Sequence, residues 1–195
     1  MNITVIEENG RKNLIVNGVC QSTYPPSDQG YWKYMIPETP VKKALILGVG
    51  AGTIPRMLLE KNPDCQILGV DYAKDVIQVA IEHFHLGELN MKLVIEDAFE
   101  YINTINEQFD LIIVDLFNGH EFPLKCVSPS FLGRCQQLLE KGGKLYINAP
   151  NIDQGITMQL PTRIKVDTGG CIVYSITRDY DIIEKQTESG KEKST

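Results

Sequence analysis

The segment from Ala44 to Arg56 is an apolar run, Ala44-Leu45-Ile46-Leu47, that meets glycines at 48, 50 and 52 and then the helix-compatible stretch Thr53-Ile54-Pro55-Arg56. An unbroken apolar run of this kind is the pattern of a strand buried on both faces, as in a parallel sheet. Glycines at alternate positions let the backbone turn sharply and approach a ligand, because no side chain occupies the ligand's space. Pro55 fits the first turn of the helix that follows. Strand, glycine turn and helix in this order predict an α/β unit whose turn faces a nucleoside.

The spacing bears on which nucleoside. A dinucleotide-binding turn wants a third small residue one position later, to seat a pyrophosphate on the helix N-terminus, and position 53 is Thr. The pattern GxGxG resembles that of class I S-adenosylmethionine-dependent enzymes, whose ligand carries no phosphate. Two further strand ends carry acids. Gln66-Ile67-Leu68-Gly69-Val70 ends in Asp71, 23 residues after Gly48, where a carboxylate can accept both ribose hydroxyls. Lys92-Leu93-Val94-Ile95-Glu96 runs into Asp97-Ala98, which offers a carboxylate for the adenine amino group and a backbone N–H for a ring nitrogen. The competing reading is that strand-end acids only cap the helices after them.

At 195 residues the chain suits one domain with at most a small appendage. Its net charge of −6 disfavours a nucleic-acid partner held through phosphates. No apolar run reaches the length of a membrane span and the N-terminus lacks a signal pattern, so a cytoplasmic protein with no membrane partner is expected. Cys20, Cys65, Cys126, Cys135 and Cys171 are scattered with no CxxC spacing and read as free thiols. His83, His85 and His120 supply no zinc pattern, so no metal is expected, and the first two read as a helix end.

Ile3 to Glu8 alternates apolar and polar residues, Asn9-Gly10 supplies a turn, and Asn13 to Gly18 returns, predicting a β-hairpin. The stretch from Tyr24 to Trp32 reads as a loop. From residue 42 strands alternate with helical patterns, the signature of a doubly wound, mostly parallel sheet. Helices are predicted at 54–61, 74–84 and 128–140, the last stopped by Lys141-Gly142-Gly143. Further strands are predicted at Leu111 to Val114 ending in Asp115, Lys144 to Asn148, Cys171 to Thr177 and Tyr180 to Glu184, with a polar tail from Lys185. The organisation expected is 1–40 for hairpin and entry helix, 41–184 for a Rossmann-like adenosyl-binding domain and 185–195 for the tail. Ligands of such a sheet collect at the carboxyl ends of its strands, where Gly48 to Gly52, Asp71, Asp97 and Asp115 all fall.

From about Ile3 to Asn148 the chain resembles the spermidine synthase-like family, the polyamine aminopropyltransferases and their relatives, which share the class I methyltransferase fold. The likeness rests on Asn17-Gly18-Val19-Cys20-Gln21, Tyr31-Trp32-Lys33-Tyr34-Met35, Thr53-Ile54-Pro55-Arg56, Asp97-Ala98-Phe99-Glu100-Tyr101, Asp110-Leu111-Ile112-Ile113-Val114-Asp115 and Ser128-Pro129-Ser130-Phe131-Leu132. The resemblance implies that Gly48, Gly50, Gly52, Asp71, its neighbour Tyr72, Asp97 and Ala98 hold the adenosyl group. It further implies Asp115 as the base that takes a proton from an attacking amine, and Gln21, Trp32 and Asn118 as acceptor-side residues. A homodimer formed through β-rich N-terminal parts is implied in the same way.

Three features depart from the family pattern. An acid of the glycine turn is Ala51, a Tyr-Gln pair is Trp32-Lys33, and the second acid of a DxxD cluster is Asn118. Ala51 removes an attraction for a donor ammonium and leaves room for a carboxylate, which favours S-adenosylmethionine over its decarboxylated form. Lys33 would repel a diamine if it pointed inward. Two functions are therefore expected in competition. One is in-line transfer of a methyl or aminopropyl group from S-adenosylmethionine or decarboxylated S-adenosylmethionine to a small acceptor such as an amine. The other is a non-catalytic adenosyl-binding or degenerate domain working through protein partners. Tyr24, Tyr31 and Trp32 read as cover for a core edge and His120-Glu121 as a solvated loop; Asn148-Ala149-Pro150-Asn151 superficially resembles the Asn-Pro-Pro-Tyr motif of nitrogen methyltransferases but follows the fifth strand and not the fourth, and is set aside.

Overall fold

The computed structural model describes residues 1–28, 30–150, 164–167 and 171–178. Strands β1 (Ile3–Glu8), β2 (Arg11–Val16) and β3 (Val19–Tyr24) form an antiparallel three-stranded sheet in the order β1-β2-β3. Asn9 and Gly10 both take positive φ at the first turn, as a tight hairpin requires. The third strand is an addition to the predicted hairpin. Its sequence shows little alternation because Ser22 and Thr23 are buried polar residues that make hydrogen bonds to the next unit.

A single 3-10 turn, Trp32–Met35, leads into β4 (Lys43–Leu47). There follow α1 (Thr53–Lys61), β5 (Gln66–Asp71), α2 (Lys74–Phe84), β6 (Met91–Ile95), the single turn α3 (Ala98–Tyr101), β7 (Phe109–Val114), α4 (Pro129–Gln137) and β8 (Leu139–Pro150). Strands β9 (Ile164–Asp167) and β10 (Cys171–Thr177) complete a seven-stranded sheet in the order β6-β5-β4-β7-β8-β10-β9. The first five of these run parallel, and β10 is antiparallel to both β8 and β9. The doubly wound, mostly parallel sheet expected from the sequence is thus present.

Two details differ from the prediction at the end of α4. The helix stops at Gln137, and β8 begins at Leu139, before the glycines taken as the stop. Pairing jumps from Phe109↔Leu139 to Leu111↔Lys144, so residues 140–143 bulge out of the ladder, with Gly142 at φ +76. Strand β9 carried no sequence signal, and Tyr180 to Glu184 and the tail lie outside the described residues. Cys20, Cys65, Cys126 and Cys135 are free thiols. His83 lies in the last turn of α2 and His85 terminates it at φ +57. Among the described residues no helix is long and apolar enough to cross a membrane.

Alternate residues of the central strands serve opposite faces. Leu45, Leu47, Val70, Ile112, Val114 and Ile147 enter one core with α3 and α4, while Ala44, Ile46, Ile67, Leu111 and Ile113 enter another with α1 and α2. Leu14, Val16, Trp32 and Met35 belong to that second core, so the small sheet and the 3-10 turn pack directly on the α1/α2 face. The strand order reverses between β4 and β7. A crevice opens there, beyond the carboxyl ends of both strands.

Candidate functional site

Gly48 follows β4 where Asp115 follows β7. The two strands pair in parallel up to Leu47↔Val114, and Asp115 N–H donates to Leu47 O at 2.8 Å. A Cβ on Gly48 would stand 2.2 Å from the Asp115 carbonyl oxygen, and φ there is +90. Only glycine lets the two strand ends come this close. Gly52, at φ +86, faces Leu86 and Leu89 instead. It does not line the crevice with Gly48 and Gly50; it marks the start of α1.

The backbone donors of the turn are all engaged. Val49 N–H and Gly50 N–H donate to Asp71 Oδ2 at 2.9 and 3.0 Å, Ala51 N–H to Ser22 Oγ at 2.8 Å, and Gly52 N–H to Val49 O at 3.0 Å. A phosphate-binding turn needs such groups open toward the ligand. This turn keeps its shape with them and offers no cradle for a phosphate. Thr53 Oγ1 accepts from Thr23 N–H at 2.8 Å and donates to Thr23 O at 3.0 Å, which fastens β3 to the head of α1.

A cavity of about 380 Å³ occupies the crevice. Gly48, Gly50, Asp71, Tyr72, Asp97, Ala98 and Asp115 line it, as do Gln21, Trp32 and Asn118. Every site residue named from the sequence except Gly52 therefore faces one hollow. Among the described residues four carboxylates, of Asp71, Asp97, Asp115 and Glu121, line it, and no Lys, Arg or His does.

The four acids are held differently. Asp71 accepts three backbone N–H bonds, the third from Ala73 at 2.9 Å onto Oδ1. A carboxylate offers about four acceptor positions, so about one remains for a ligand hydroxyl and not the two expected for a full ribose diol. Asp97 caps α3 through Oδ1, which accepts from Phe99 N–H at 2.7 Å and Glu100 N–H at 3.3 Å. The capping reading holds there, and Asp97 still faces the cavity with its second oxygen unengaged among the described residues. Tyr72, half exposed at the rim, has its phenol pushed up by burial, with Asp71 and Asp97 adding to the effect.

Asp115 caps nothing. Both its oxygens accept from the Tyr31 hydroxyl, at 3.1 and 3.0 Å, and Oδ1 also accepts from Asn148 Nδ2 at 2.8 Å. Burial pushes its carboxyl up to about 6; the Asn148 and Tyr31 bonds oppose that rise and Asp71 adds to it. These two partners were missed from the sequence. Tyr31 had been counted as core cover, and Asn148 was set aside. The register Val114↔Ile147 of the parallel pair β7/β8 puts residue 148 beside residue 115, and this adjacency is the signal that could have found it.

On the acceptor side, Gln21 Nε2 donates to Gly119 O at 3.1 Å, and Asn118 and Glu121 pair through reciprocal backbone bonds of 3.0 and 3.1 Å. The two-residue turn between them, with Gly119 at φ +63, brings Glu121 to the cavity wall. Glu121 is therefore part of the cavity and not a purely solvated loop residue. Lys33 is exposed, lies over the Tyr34 ring at 5.0 Å and does not line the cavity, so it opposes no cation there. Ala51 is buried in the α1/α2 core. Tyr24 covers a core edge as expected, with the Arg56 guanidinium 4.7 Å from its ring centroid and the His85 ring at 5.4 Å. Tyr31 and Trp32 stand 5.1 Å apart, and of the two Trp32 reaches the cavity wall.

A parallel sheet with the order β6-β5-β4-β7-β8, a glycine turn spent on internal bonds and an acidic crevice at the point of reversal define a class I methyltransferase fold. A family model described as a methyltransferase domain matches residues 40–191. The chain belongs to that family. It is 31% identical over 111 residues to a polyamine aminopropyltransferase of Vibrio vulnificus, a match covering 55% of this chain and 37% of that protein. It is 26% identical over 189 residues to polyamine aminopropyltransferase 2 of Caldanaerobacter subterraneus, covering 91% of this chain and 60% of the relative. The chain thus spans only part of the length of these relatives. The crystal structure of spermidine synthase from Thermotoga maritima shares the fold, with a TM-score of 0.69 at 15% identity over 99% of this chain and 75% of that one.

Proposed function

We propose that the crevice binds an adenosyl sulfonium and transfers an alkyl group from it to a small cationic amine, with Asp115 as the base. The observation that carries this reading is the lining: among the described residues, four carboxylates and no basic side chain. Such a hollow attracts positive charge, which the sulfonium and a protonated amine both carry. The engaged backbone donors of residues 49–52 support a ligand without phosphate. In the reaction the amine nitrogen, once it has lost a proton, forms a bond through the freed lone pair to the carbon next to sulfur, the carbon–sulfur bond breaks, and the thioether leaves. The nitrogen's proton passes to the Asp115 carboxylate, whose raised affinity for protons suits it to receive one near neutral pH. Asp71 and Asp97 hold ribose and adenine, with Gly48, Gly50, Tyr72 and Ala98 shaping their walls. Gln21, Trp32 and Asn118 shape the acceptor end, where Glu121 offers a charge for a second ammonium.

The lining also bears on the donor. Among the described residues the carboxylate of S-adenosylmethionine would meet neither a basic side chain nor an open amide of the 49–52 turn, and decarboxylated S-adenosylmethionine has none to place. This favours aminopropyl transfer and reverses the preference drawn from Ala51. Methyl transfer is the second reading, favoured by the match to a methyltransferase domain. Two copies paired along the β1 edge of the small sheet would form the homodimer implied by the resemblance, and sedimentation would reveal it.

The by-product decides among these readings. Incubation with each donor and a short diamine, followed by mass spectrometry, yields 5′-methylthioadenosine for aminopropyl transfer and S-adenosylhomocysteine for methyl transfer. Asp115→Asn abolishes either product if Asp115 is the base. Nucleoside binding with no product from either donor over a panel of amines would favour a non-catalytic adenosyl-binding domain.

A further inference from the structure

Asp71 and Asp115 face the same cavity and are held by opposite kinds of group. The three partners of Asp71 are backbone N–H groups, which can only donate. The partners of Asp115 are a phenol and a primary amide, each able to donate or to accept. The amide has a further peculiarity. Asn148 is 1% exposed, and its buried Oδ1 has no hydrogen-bond partner among the described residues. A buried carbonyl is ordinarily satisfied, and one left bare asks for an explanation. Had Oδ1 accepted from a neighbouring N–H, the amide would be fixed with Nδ2 toward Asp115. Among the described residues its orientation is set by Asp115 alone.

We propose that Asn148 and Tyr31 are positioning residues that hold Asp115 in both of its protonation states, by reversing from donors to the carboxylate into acceptors from the carboxylic acid. When Asp115 takes a proton, the new O–H needs an acceptor inside the crevice. A half-turn of the Asn148 side-chain amide puts Oδ1 where Nδ2 stood, within hydrogen-bond reach of that O–H. Rotation of the Tyr31 hydroxyl lets its oxygen serve likewise. No bond breaks other than the one that delivers the proton, and loss of that proton to water reverses the arrangement. The inference deepens the proposed function, since it rests on Asp115 changing protonation state during turnover.

The titratable groups facing Asp115 are Asp71 across the cavity, Cys126 from the 124–127 turn and Tyr31, with Asp97 and Glu121 elsewhere on the wall. Burial pushes the Cys126 thiol up to about 12, so it keeps its proton through the range in question.

The experiment is an NMR titration of the uniformly labelled full chain between pH 4 and 8, following the carboxyl carbon of Asp115 and the side-chain carbonyl carbon and amide protons of Asn148. The expected result is a shared midpoint. On acidification the Asn148 carbonyl moves as a carbonyl does on accepting a hydrogen bond, and its amide protons lose the bonded shift. In Asp115→Asn the Asn148 signals lose this pH dependence, and in Tyr31→Phe the shared midpoint persists but moves. Asn148 signals that stay constant while Asp115 titrates would overturn the proposal, as would an Asp115 that does not titrate in this range. Failure of the proposed function would show differently, as absence of nucleoside binding with the shared titration intact.

Discussion

Replacing Asp115 by Asn should stabilise the protein at alkaline pH while removing its proposed chemistry. The folded-state carboxyl titrates at about 6 against an ordinary value of 3.8. Below pH 3.8 the group is protonated in folded and unfolded chains alike and costs nothing. As pH rises through 3.8 toward 6, the unfolded chain releases its proton first, so the wild type loses stability until the folded group has also ionised. A rise of about 2 units corresponds to about 3 kcal/mol once that window is passed. Asn carries no charge at any pH and escapes this loss, but its amide nitrogen cannot accept from Asn148 or Tyr31, which costs about 1 kcal/mol. The variant should therefore be about 2 kcal/mol more stable than wild type at pH 8. Near pH 4.5 the advantage should shrink toward zero. Urea denaturation of both proteins across pH 4.5–8 measures this difference directly. A difference that does not change with pH, or a variant less stable than wild type at pH 8, would refute the buried-carboxylate reasoning.

Two other substitutions and one control test the crevice. Gly48→Ala places a Cβ 2.2 Å from the Asp115 carbonyl oxygen and 2.8 Å from its carbonyl carbon. Backbone at that distance yields only if β4 and β7 separate, so overpacking of ~1–3 kcal/mol adds to ~1–2 kcal/mol for a left-handed alanine; a loss under 1 kcal/mol by denaturation would contradict the close approach. Glu121→Gln should raise KM for a diamine about two- to fivefold with kcat retained, whereas Lys33→Gln, exposed and outside the cavity, should leave both constants unchanged in the same steady-state assay.

The elements of the parallel sheet were legible because each has an unambiguous signal. Leu45 to Leu47 and Leu111 to Val114 are continuous apolar runs, and Val76, Ile77, Ala80, Ile81 and Phe84 recur at helical spacing, all buried but Ile81, which is exposed. The strand-end acids were legible for the same reason: the end of a buried strand is easy to mark. How each acid is held was not. Tyr31 reaches Asp115 across 84 residues of chain, and nothing local to a tyrosine in a polar, Pro-containing loop announces that contact. Asn148 was passed over because chain order put it on the fifth strand, although in a sheet that reverses direction after β4 the fifth strand lies beside the fourth. Strand β3 escaped notice since Ser22 and Thr23 are buried to make hydrogen bonds and not to exclude water. The end of α4 was misplaced because Gly142-Gly143 looks like a helix terminator and serves instead in a bulge of β8.

The most direct test is a calorimetric titration of the wild-type chain with 5′-methylthioadenosine, the portion that both donors have in common and the by-product of aminopropyl transfer. Saturable one-to-one binding, markedly weakened in Asp97→Ala, is predicted. Absence of heat at millimolar nucleoside would contradict the assignment of the acidic crevice to an adenosyl ligand.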